Sequence, residues 1–118
     1  MQEHIEPAHW AAFFDDLANK YHDFEAHMEI IGRAFGDQEA AACLPFSGMS
    51  YDRHHNQVFI TVGGISRRYP VHLTHTVEQP HTVAVHHTPE GEVSSILVVS
   101  GDKTETLVRL RRQRQLTA

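Results

Sequence analysis

At 118 residues, 41% of them hydrophobic and 21% charged, the chain can bury roughly two-thirds of its unfolded surface in a single domain. Its longest apolar runs, such as Ile96-Leu97-Val98-Val99, fall far short of the ~18 residues that span a bilayer, and the acidic start Met1-Gln2-Glu3-His4-Ile5-Glu6 has no apolar leader segment. A cytoplasmic location without a membrane span is therefore expected, and a net charge of −5 argues against generic polyanion binding.

The single cysteine, Cys43, excludes an intrachain disulfide and a multi-cysteine metal cluster. Its neighbours Ala40, Ala41, Ala42 and Leu44 mark it as a small buried residue. Histidine is the unusual feature. Eleven protonated imidazoles added to −5 would carry the chain to +6, so its potential changes sign in mild acid.

Residues 7–21 read as one amphipathic helix. Pro7 suits the first helical position, and Trp10, Phe13, Phe14, Leu17 and Tyr21 form one apolar stripe opposite Asp15, Asp16, Asn19 and Lys20. From Phe24 the period switches to two, and strands are expected at about 24–31 and 37–44, joined by a turn between Gly32 and Gly36. A short strand at 48–52 follows the Pro45 break, and Asp52 to Asn56 form a turn into strand 57–63, with Val58, Ile60 and Val62 on one face. The stretch Ser66 to Val77, which contains Pro70, is read as an edge strand or a bent connection. Strands at 81–87, 93–100 and 103–110 complete the set, before a frayed tail at 112–118. The expected fold is α+β: an N-terminal amphipathic helix packed on a mainly antiparallel sheet of six to seven short strands in one domain, 1–118.

With these elements in place the chain resembles a family of small bacterial proteins of unknown function. The matching features are the Trp10-x-x-Phe13-Phe14-Asp15 helix start, the Leu44-Pro45-x-x-Gly48-Met49-Ser50-Tyr51-Asp52 block, Gly91-x-Val93-x-Ser95 and the closing Val108-x-Leu110-Arg111. Cys43 departs from the family, which often has an aromatic residue before Leu-Pro, and the histidine enrichment is a second departure. The resemblance implies a single domain over nearly the whole chain and implies no activity.

Three chemistries compete with a plain interaction domain. Ser50-Tyr51-Asp52 beside His54 and His55 has the residue types of a hydrolase but no G-x-S-x-G elbow, and Asp52 reads more simply as a turn cap. His72, His75, His81 and His86 are candidate ligands for zinc, nickel or copper, although their spacing places them on no common strand face. Arg67, Arg68 and Tyr69, with the arginines from 109 to 114, could meet phosphates and a base. The reading adopted is a non-enzymatic accessory or protein-interaction domain that self-associates or joins a complex, with no required cofactor. Trp10, Phe13, Arg67, Arg68 and Tyr69 are its candidate contacts. Histidine-rich metal binding is the alternative, and a nucleic-acid-associated role is the third.

Overall fold

The computed structural model describes residues 2–22, 24–32, 36–63 and 72–112, and the side chains of Ala42, Cys43 and His72 fall outside that description. Strand β1 (Gln2–Ile5) leads into a short 3-10 turn at Pro7–His9 and helix α1 (Trp10–Tyr21). Strands β2 (Glu25–Gly32), β3 (Gly36–Asp52), β4 (Gln57–Gly63) and β5 (His72–Glu78) follow. The chain then returns through β6 (Pro80–His87), β7 (Val93–Ser100) and β8 (Glu105–Arg111). The strands form one sheet in the order β1-β6-β7-β8-β2-β3-β4-β5. Every pairing is antiparallel, so the fold is α+β.

Strand β3 shapes the whole. Its first part pairs with β2 as far as Pro45, and its second part pairs with β4 from Phe46 onward. Proline lacks an N–H, and here that gap falls where β3 leaves one ladder for the other. The register then slips between Phe46 and Gly48, a bulge that bends the strand. Ser47, the extra residue, donates its hydroxyl to the Gly63 carbonyl at 2.5 Å. The bend divides the sheet into a six-stranded half, β1 to the start of β3, and a second half made by the end of β3 with β4 and β5.

The inner faces of both halves and one stripe of α1 share a single core. Val58, Ile60 and Val62 of β4 have no exposed surface, and Val83, Val85, Ile96, Val98 and Val108 face them from the larger half. Trp10, Phe14, Leu17 and Tyr21 fill the remaining side from the helix. Trp10 also donates its indole N–H to the Ile5 carbonyl at 2.9 Å, which ties β1 to the helix start. The Cα radius of gyration is 14.0 Å, close to the roughly 13.5 Å expected of a compact chain this long.

Three expectations need correction. The described residues carry eight strands, not six to seven. Strand β1 went unread, being too short and polar to show a period, whereas β5 falls in the stretch read as an edge strand or a bent connection and is a terminal strand of the sheet. The expected strands 37–44 and 48–52 are one element, because Pro45 and Gly48 bend β3 without breaking it. Pro7 opens a 3-10 turn, and the α-helix itself begins at Trp10. Gly64, Pro70, Arg114 and the tail beyond Arg112 lie outside the described residues.

Candidate functional site

The outer face of the six-stranded half is the most organised surface. Cross-strand register aligns His4, Ala84, Leu97, Leu107, Glu29 and Glu39 in one row. The next row holds Thr82, Val99, Glu105, Ile31 and Asp37, and the row on the other side holds Gln2, His86, Ser95, Arg109 and His27. Leu97, Leu107, Val99 and Ile31 are partly exposed, so apolar side chains sit at the centre of a face bordered by charge. No described element packs over them. This centre was missed as a site in the sequence, but its signal is present. The unbroken run Ile96-Leu97-Val98-Val99 puts apolar side chains on both faces of β7, a pattern of strands covered on both sides.

The border beside it is a charge network across β2, β3 and β8. Glu29 is its hub: Arg109 donates to its carboxylate at 2.5 Å, and His27 Nε2 lies 3.4 Å away. The same His27 nitrogen is 3.5 Å from Glu39. The Asp37 carboxyl hydrogen-bonds to Glu29, which raises its pKa above the usual carboxylate value; burial and the Glu29 charge add to the rise, while Arg109 and His27 oppose it. One strand position along, Arg111 meets Glu25 at 2.6 Å. A groove of about 410 Å³ runs between these pairs, lined by Glu25, His27, Ser94, Arg109 and Arg111. The network offers charges and hydrogen bonds for recognition.

The residues singled out in the sequence scatter. His75 points inward from β5 and lies 3.3 Å from the Thr106 hydroxyl, with its pKa lowered by burial. His81 is exposed and contacts Thr82 at 3.1 Å, whereas His86 is exposed on the outer face. The His72 side chain lies outside the described residues, as do Arg67, Arg68 and Tyr69. Among the described residues no three His, Cys, Asp or Glu side chains are placed to hold a metal ion. Trp10 is a core residue at 2% exposure, with its ring edge-on to Tyr51 at 5.1 Å, while Phe13 stays partly exposed on the helix surface.

The Ser50 to Asn56 segment is architectural. Asp52 accepts the backbone N–H groups of His54 and His55 at 3.0 and 3.3 Å and contacts the His55 ring at 2.8 Å. The His55 contact is the main reason the Asp52 carboxyl titrates below its usual value. Tyr51 donates its hydroxyl to Asn56 at 2.8 Å, which closes the turn from the other side.

No curated protein and no solved structure matches the chain. Over residues 1–118 it matches DUF5335, described as a family of unknown function. The chain that folds into this bent antiparallel sheet and its single helix belongs to that family.

Proposed function

We propose that the chain is a non-enzymatic protein-interaction domain that self-associates through the outer face of its six-stranded half. The observation that carries this reading is the paired, partly exposed Leu97 and Leu107, with Val99 beside them, on a face no described element covers. An apolar centre within a charged border is the anatomy of a protein interface.

A second copy suits this face. Arg109 and Glu105 stand two residues either side of Leu107 on the same face of β8. A two-fold axis along the row of leucines sets Arg109 of one copy opposite Glu105 of the other, a contact repeated by symmetry. Six strands and six residues of length give roughly 500 Å² of projected area per copy, near the lower limit for a specific interface. The dimer is accordingly weak and concentration-dependent.

Light scattering at two protein concentrations tests the reading. Mass should rise with concentration for the natural chain and stay monomeric for Leu97→Glu and Leu107→Glu, with circular dichroism showing that both variants keep the sheet. A natural chain that is monomeric at both concentrations would sink it. The metal-binding alternative draws its support from His72, His75, His81 and His86. The nucleic-acid alternative draws on residues 67–69, outside the described residues, and on Arg109, Arg111 and Arg112, which pair with Glu29, Glu25 and Glu92.

A further inference from the structure

A second recognition surface lies at the other end of the same sheet half. Strand β1 is the terminal strand: β6 pairs with one of its edges, and among the described residues nothing pairs with the other. Beside it runs a groove of about 740 Å³ shared with the helix. The 3-10 turn contributes His9, and the helix contributes Ala12, Phe13 and Asp16, which recur at i, i+1 and i+4 and form one face next to the buried stripe. From β1 come Glu3, His4 and Ile5. Glu3 and Ile5 pair with core-facing Val85 and Val83 and share their side of the sheet. Glu6 closes the end of the groove.

We infer that this groove binds an extended peptide segment carrying arginine at alternate positions, added to the sheet as a ninth strand beside β1. Strand addition to an open edge is a recurrent mode of peptide recognition, in which backbone bonds give affinity and side-chain pockets give selectivity. Alternate residues of an antiparallel strand direct their N–H and C=O groups away from the existing partner. In β1 the Ile5 carbonyl is already taken by the Trp10 indole, so an incoming chain pairs with the groups that remain.

Charge identifies the segment. The groove is lined by the carboxylates of Glu3, Glu6 and Asp16 and by no lysine or arginine. Asp16 pairs with Lys20 at 3.1 Å, but both side chains are more than 60% exposed, and such a pair is worth little and exchanges readily. The apolar surface of Ile5, Ala12 and Phe13 lies among these carboxylates rather than apart from them. Arginine fits both features, since its aliphatic stem covers apolar surface while its guanidinium reaches carboxylate. Two-residue spacing puts successive arginines on the helix side of an added strand. The inference uses a different face from the outer-face dimer, with His4 bordering both.

The test uses the full chain and an octapeptide of alternating arginine and valine, followed by amide chemical shifts and by fluorescence of Trp10, the sole tryptophan, whose indole bonds to Ile5. The expected result is saturable binding with shifts confined to residues 2–6 and 9–16. Affinity should drop at least tenfold for a peptide N-methylated at alternate residues, and by as much for the Glu3→Lys, Glu6→Lys double variant. Glu6 makes no side-chain capping bond, so its replacement spares the fold. Equal binding of a glutamate–valine octapeptide, or no loss on N-methylation, would overturn the proposal. Concentration-dependent shifts at 2–6 without peptide would overturn it in favour of a β1–β1 pair between copies.

Discussion

The Tyr21 hydroxyl, at the last residue of α1, accepts the backbone N–H of Val93, the first residue of β7, at 2.8 Å in a buried setting. Seventy-two positions separate the two residues, so this bond fixes the helix end to the far half of the sheet. Tyr21→Phe keeps the edge-on packing against Phe24 and removes only the acceptor. A buried N–H without a partner costs about 1–2 kcal/mol, which lowers Tm by roughly 4–10 °C in a domain of this size. Thermal unfolding followed by circular dichroism checks this; an unchanged Tm would mean that water replaces the hydroxyl.

Gly48 is where the bent strand meets the helix. Its φ of 154° is one that L side chains rarely adopt, and an added Cβ would come within 3.2 Å of the Ala18 Cβ. Gly48→Ala should therefore destabilise by about 1–3 kcal/mol through combined strain and crowding. Gly91→Ala is the natural comparison, because Gly91 also has positive φ, 90°, but faces open space. Chemical denaturation of both variants separates the two causes. A Gly48→Ala loss no larger than that of Gly91→Ala would show that the helix moves away at no cost.

How much of this was legible depends on how local each cause is. The alternation of Val58, Ile60 and Val62 and the helical spacing of Trp10, Phe14, Leu17 and Tyr21 are properties of single elements, and their burial follows from period alone. Asp52 is a similar case, since its cap spans two and three residues. By contrast, β1 has only four residues and no alternation, and it is a strand because β6 offers it an edge. The candidate face needs register as well. The run Ile96 to Val99 shows that both faces of β7 are apolar, but only its pairing with β6 and β8 places Leu97 and Val99 outside. His75 and Thr106 meet only because β3 folds one half of the sheet over the other.

Asp37 and Glu29 share a hydrogen bond between two carboxyl groups, with Arg109 and His27 as the nearby balancing charges. An ionised Asp37 is set against the Glu29 charge, whereas a protonated Asp37 donates to it. Asp37→Asn supplies that donor at every pH without the charge. The variant should exceed the natural chain in stability near neutral pH, with the gap closing as pH falls and Asp37 takes up its proton. Urea midpoints across the acid range check this. A constant gap would show that the carboxyl–carboxyl contact has no energetic weight.

Burial holds the His75 imidazole below its ordinary value of 6.5, so the fold favours its neutral form. It faces Thr106 from β8 and pairs with Ile60 of β4, neither of which carries charge. As pH drops through about 6.5 the unfolded chain gains a proton that the folded chain refuses until its own lower pKa is reached. In that interval the unfolded state binds more protons, so stability falls with pH; it is fully present above the interval and stops falling below it. His75→Gln retains a polar partner for Thr106 and abolishes the titration. The remaining histidines are common to both proteins, so the difference between their pH slopes isolates His75. Urea midpoints at about pH 7.5 and about pH 5.5 should separate more for the natural chain than for the variant. Equal separations would mean that the folded chain protonates His75 freely, which requires water to reach the ring between the two halves of the sheet.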